Sequence, residues 1–134
     1  MILACLLASF AHYMLGWLWH SYIFANAWMA GMNLTKEQIH EQTTDQHMAL
    51  ALAGSFFIGL IQTIVITLSI THFGMSSVAE AVLFAGSMSL SFNFLSMVRS
   101  FLWVPKSFIV ILINAGYNFV GSMLIAAIVA WMTI

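Results

Sequence analysis

The chain has 134 residues, of which 63% are hydrophobic and 5% charged, and its formal net charge is −1. A soluble domain carries roughly 25% charged residues, so this chain has too little charge to cover a water-facing surface and calls for lipid as its solvent. The charge balance argues against nucleic acid as a partner, which needs a basic patch, and the lone Cys5 excludes a disulfide framework.

Four apolar blocks follow in chain order. The first runs from Ile2 to Tyr22. It has no Lys or Arg before Lys36, so the basic start of a signal peptide is missing, and it reads as a retained helix with Cys5 as a buried, inert thiol. Trp17, Trp19, Tyr22, Phe24 and Trp28 cluster where this block ends. They read as an interfacial belt, with an aromatic ligand cage as the lesser alternative.

A polar connection spans 33–47. Thr35 and Gln38 have the spacing of a capping box, so a helix is expected from Lys36 to about His47, either continuous with the second block or broken before it. Glu37 and His40 form one Glu-x-x-His pair. A di-iron bundle needs two such pairs and two further carboxylates, so a solvated amphipathic helix is the expectation here.

The second block runs from Met48 to Ile70, and Gly74 is placed to cap its end. The third runs from Val78 to Val98, with Glu80 at a helix N-terminus where the dipole favours an acid. The fourth runs from Ser107 to Met132, behind Pro105, which suits a first helical turn. Each block is near the ~20 residues a helix needs to cross ~30 Å of hydrocarbon. The expected fold is all-α, a polytopic four-helix transmembrane bundle forming a single domain over 1–134. The ten methionines are spread through the chain and read as flexible apolar filler rather than a copper site.

Lys36 lies between spans one and two, and Arg99 and Lys106 between spans three and four. The positive-inside rule therefore places both connections in the cytoplasm and both termini outside. A bacterial inner (cytoplasmic) membrane is the expected location. Arg99 with Lys106 is a candidate site for an anionic lipid headgroup.

Helical steps of three, four and seven place small and polar residues on one stripe of each span. The stripes are Cys5, Ser9, His12, Gly16 and His20; then Ser55, Gly59, Gln62 and Ser69; then Gly86, Ser89, Asn93, Ser96 and Ser100; then Asn114, Tyr117, Asn118, Gly121 and Ser122. In lipid such stripes face other helices and act as packing glue. The sharper alternative is a polar site in the bundle interior built from His12, Gln62, Asn93, Asn114, Tyr117 and Asn118. His12 lies near mid-span, where an ionisable group is expensive and marks function by default. Its plain alternative is a neutral imidazole hydrogen-bonded to Asn, Ser or backbone. His12 and His20 are also weak candidates for metal or haem ligation. Ser122, Ala126 and Ala130 continue a small-residue ridge suited to a partner chain.

Two stretches resemble a known family. One is Leu15-Gly-Trp-Leu-Trp-His-Ser-Tyr-Ile-Phe-Ala-Asn-Ala-Trp28-Met with Gly31-Met-Asn-Leu-Thr35; the other is Leu112-Ile-Asn-Ala-Gly-Tyr117, leading to Ala130-Trp131. They look like bacterial membrane proteins grouped as domain-of-unknown-function family seventeen sixty-one, with the likeness covering essentially the whole chain. The chain departs from that pattern at His20, where Tyr is usual, and at Ala25-Asn26, where Gly-Lys is common. The resemblance implies the four-span layout and no activity.

The sequence shows no nucleophile–base pair with helpful spacing, no phosphate-cradling glycine loop and no Cys/His framework. No similarity between the halves supports an inverted-repeat transporter. The leading expectation is a non-catalytic membrane protein that works by association, as a homo-oligomer or accessory subunit of a larger complex, with membrane lipids around it. A transporter or channel for a small solute or ion is the first alternative. A haem- or metal-binding protein is the second; otherwise no cofactor is expected.

Overall fold

The computed structural model describes residues 1–103 and 107–134. The expectations placed on Pro105 and Lys106 lie outside the described residues.

Helix α1, Ile2–Leu18, runs into a π-turn at Trp19–Ile23. A short helix α2 follows at Ala25–Met32. It closes with Asn33 in the left-handed region, as Leu34 N–H reaches the Met29 carbonyl and Asn33 N–H that of Ala30. Helix α3, Lys36–Gln42, opens on the expected capping box of Thr35 and Gln38. The backbone then extends at Thr43 and Thr44, so α3 does not run on into the second span. Thr44 instead caps a new helix by accepting from His47 N–H, and α4 starts at Asp45, a turn before the apolar block. Helix α4 ends at His72, and Gly74 follows with φ +61°, as its capping position requires.

Helix α5, Val78–Met88, is capped by Ser77 and leads through a second π-turn, Ser89–Phe94, into α6, Leu95–Trp103. Helix α7 covers Phe108–Thr133. Four continuous helical runs result: Ile2–Ile23, Asp45–His72, Val78–Trp103 and Phe108–Thr133. All are long and apolar enough to span a membrane. Their outward faces carry exposed Leu, Ile, Val and Phe side chains, which suit lipid and no other solvent.

The spans do not form a ring around a lumen. Span four lies at the centre and packs against α1, α4, α5 and the second π-turn. The core towards the termini is apolar. There Ala8, Ala81, Ala85, Ala126 and Ala130 are almost fully buried with Ile70, Ile125 and Val129. Small side chains let helix backbones approach, so dispersion replaces the hydrophobic effect that lipid does not supply. This corrects the expectation for the Ser122–Ala126–Ala130 ridge, which is buried inside the bundle and offers no surface to a partner.

Two further corrections concern the stripes. Ser55 is exposed, and the buried line of span two is Gly59, Thr63, Thr67 and Ile70. Each Thr donates to the carbonyl four residues back, at 2.9 Å for Thr63 and 2.8 Å for Thr67, so it packs like a small apolar residue. Ser96 and Ser100 are also exposed, while Met97 and Phe101 turn inward. The π-turn inserts one extra residue, and each residue rotates the helix by about 100°.

Candidate functional site

The polar side chains gather at the other end of the bundle, where α1 and its π-turn, α4 and α7 meet. They form a ladder along span four. Gln62 Nε2 donates to Ser122 Oγ at 3.0 Å, and Ser122 Oγ donates to the Asn118 carbonyl at 2.7 Å. Asn118 Nδ2 donates to the Asn114 carbonyl at 3.1 Å, and Asn114 Oδ1 lies 3.2 Å from His20 Nε2. His20 Nδ1 completes the run at the Gly16 carbonyl, 3.1 Å away. Trp19 also turns inward, giving its indole N–H to the Ile113 carbonyl at 2.9 Å. Its place in the π-turn thus takes it out of the expected interfacial belt. Trp17 and Trp103 are exposed and suit that belt, and Trp131 is exposed at the opposite end of span four.

The Gly16 carbonyl can only accept, so the proton of His20 sits on Nδ1. Nε2 then offers a lone pair, which the Asn114 amide can meet with its NH₂ group by turning over.

His12 is 5% exposed, and its Nε2 is buried without a hydrogen-bond partner. The expected bond to Asn, Ser or backbone is thus not made at that atom. Two glycines make room for the ring: a Cβ on Gly121 would lie 2.6 Å from His12 Cδ2, and one on Gly59 3.0 Å from Nδ1. The third wall is Tyr117, stacked on His12 with ring centroids 5.0 Å apart and touching His20 edge-on at 5.3 Å. His12 and His20 therefore flank one tyrosine rather than facing each other. The same Cβ on Gly121 would lie 2.7 Å from His12 Nε2, so only a glycine leaves that edge of the ring its space.

Of the six residues expected at a polar interior, five come together: His12, Gln62, Asn114, Tyr117 and Asn118. Asn93 does not join them. Its Nδ2 donates to Ser89 Oγ, 3.4 Å away in its own π-turn. His20 and Ser122 complete the site, and helical spacing had already placed both on inward stripes. Arg99 is exposed on α6, above a shallow groove lined by Ser91, Phe92, Leu95 and Ser96. The headgroup pairing with Lys106 lies outside the described residues. Glu37, His40, Glu41, Asp45 and His47 are all exposed. Among the described residues, no three His, Cys, Asp or Glu side chains are grouped to hold a metal ion.

Two cavities meet at this site. The smaller, about 280 Å³, is lined by Tyr13, Gly16, Trp17, His20, Ser21, Leu52, Ser55 and Tyr117, where α4 diverges from α1. The larger, about 900 Å³, lies between α2, α6 and the start of α7, and Asn114 is among its walls with Asn33, Ser100 and Ser107. His20 is among the walls of the first and Asn114 among those of the second, so their 3.2 Å contact joins the two linings.

A family model described as protein of unknown function (DUF1761) matches residues 3–130. No curated protein and no solved structure matches the chain.

Proposed function

We propose that the chain, which belongs to the DUF1761 family of proteins of unknown function, carries a small polar solute through the membrane by way of its bundle interior. The observation that carries this reading is the His20–Asn114 contact, which stands between two cavities at the polar end of the bundle. A hydrogen-bonded partition can open by exchanging its bonds for bonds to a solute, whereas a packed apolar wall has none to exchange. The alanine-rich packing towards the termini supports reading this conformation as closed on that side. Passage therefore requires a second conformation in which that end parts. The membrane is the cytoplasmic one, with Lys36 and Arg99 inside and the termini outside, on the strength of the positive-inside rule.

Purified protein in proteoliposomes tests the reading by solute-driven volume change in stopped flow. The expected result is faster equilibration of a small solute than in protein-free vesicles. Unchanged rates for Asn114→Ala and His12→Ala together would remove the site assignment.

A specific feature favours association as a second reading. Residues 44–53, the start of α4, are exposed on every side. A second copy packed there would cover them within the membrane. Cross-linking through Ser55→Cys in a Cys5→Ser background would report it as a dimer band at low protein-to-lipid ratio.

A further inference from the structure

We infer that the solute is a small, electrically neutral molecule bearing both hydrogen-bond donors and acceptors, and that the His20–Asn114 contact is the barrier it must part at the polar end of the bundle, before it reaches the packed alanine-rich end. This rests on the transport reading above and specifies its substrate class and gate.

The first ground is charge. Every Asp, Glu, Lys and Arg of the chain lies outside the spans or within about a turn of their ends. Between those ends the titratable groups are imidazole, phenol and one thiol, with no carboxylate, ammonium or guanidinium to balance a dehydrated ion. A buried ion without a counter-charge is costly, and channels that pass ions supply rings of charges or carbonyls. Here the interior groups are amides and hydroxyls that bond mostly to their own helix backbones.

The second ground is the chemistry of the partition. At the contact His20 offers an acceptor at Nε2 and the Asn114 amide can offer a donor, so a solute that donates to His20 and accepts from Asn114 can replace either partner bond for bond. The third is size. At about 30 Å³ per water, the 280 Å³ cavity beside His20 holds on the order of nine waters, which suits a molecule of a few heavy atoms. The fourth is the place of His20 in a π-turn. Such a turn can move its extra residue along the helix, and that shift swings the side chains it passes by about 100°. A shift of this turn would therefore move the gate residue.

The experiment uses the full chain in proteoliposomes, with urea and glycerol as neutral probes and K⁺ and Cl⁻ as charged ones. Wild type should pass urea or glycerol well above protein-free vesicles, and K⁺ and Cl⁻ no faster than those vesicles. Asn114→Leu, which keeps the volume and removes the exchangeable bonds, should slow the neutral flux about ten-fold or more. Ser87→Ala, an exposed hydroxyl bonded only within its own helix, should leave the flux unchanged. His20→Phe makes the same test from span one should Asn114→Leu not fold. No flux of any probe in wild type would overturn the transport reading itself. Flux of K⁺ or Cl⁻ without urea or glycerol would leave transport standing and overturn the neutral class. Neutral flux that survives both Asn114→Leu and His20→Phe would overturn the gate.

Discussion

The imidazole of His12 stacks on the ring of Tyr117, with centroids 5.0 Å apart and planes 19° from parallel. The ring of that tyrosine also meets His20 edge-on at 5.3 Å. Tyr117 thus links the buried, unpartnered imidazole of mid-span to the one at the partition. Its hydroxyl adds little, reaching the His12 carbonyl only at 3.5 Å.

Tyr117→Phe should therefore be mild, with a stability loss under about 1 kcal/mol, since it keeps both ring contacts. Tyr117→Ala opens a cavity between the two histidines and should cost roughly 3 kcal/mol. Unfolding in mixed micelles separates the two. Equal losses would show that the hydroxyl, rather than the ring, holds the site.

Gly121→Ala places a methyl 2.6 Å from His12 Cδ2 and 2.7 Å from Nε2, on a ring fixed by Tyr117 and Gly59. A loss of about 1–3 kcal/mol is expected from overpacking. Most of it should vanish in the His12→Ala background, where the ring is gone, and a double-mutant cycle reads this coupling. Gly54→Ala is the contrast. A Cβ there meets nothing within 4 Å, so the substitution should be neutral or stabilising by up to about 1 kcal/mol.

The spans were legible because a twenty-residue apolar run between polar breaks has few other uses in water or lipid. So were the inward faces of spans one and four, where α-helical steps hold from Cys5 to Gly16 and from Asn114 to Ser122. The π-turns were not legible. Nothing in Trp19–Ile23 or Ser89–Phe94 signals an added residue, and that residue moved Ser96 and Ser100 off the stripe. Thr63 and Thr67 were missed for a different reason. A hydroxyl that bonds its own helix carries no outward sign of burial, so the exposed Ser55 looked equally polar. Nor did sequence spacing show that span four would be central. That follows from which small residues meet across the helices, a long-range property.

The break between α3 and α4 makes its own prediction. Thr44 Oγ1 accepts from His47 N–H at 3.2 Å, so Thr44→Ala should release that amide and cost about 1 kcal/mol locally. Hydrogen exchange over 45–48 should speed up while exchange deeper in α4 stays unchanged. Slower exchange would mean that α3 and α4 had fused into one helix.

Gln62→Leu tests the one amide that bonds from span two to a side chain of span four. Interhelical hydrogen bonds in membranes average about 0.6 kcal/mol, because the unfolded helices find other partners. The loss should be of that size, and Ser122→Ala should give a similar one, since its Oγ is the acceptor. Non-additive losses in the double variant would confirm that the two residues act as a pair. Additive losses would mean that the 3.0 Å contact contributes nothing.

Orientation supplies the last prediction. Cys5 is the chain's only cysteine, so a Cys5→Ser background gives a clean start for labelling. Thr43→Cys reports the connection after α3, and Ser76→Cys the one between α4 and α5, where Ser76 is exposed. These connections lie at opposite ends of α4, a helix of 28 residues or about 42 Å, so they emerge on opposite sides of the membrane. A membrane-impermeant maleimide added to intact cells should label Ser76→Cys at once and Thr43→Cys only after lysis. The basis is Lys36 and Arg99, both on the Thr43 side in a four-span layout. The reverse labelling pattern would invert the topology. The larger cavity, walled by α2 and the start of α7, would then open outward, and so reverse the side from which a solute meets the His20–Asn114 partition.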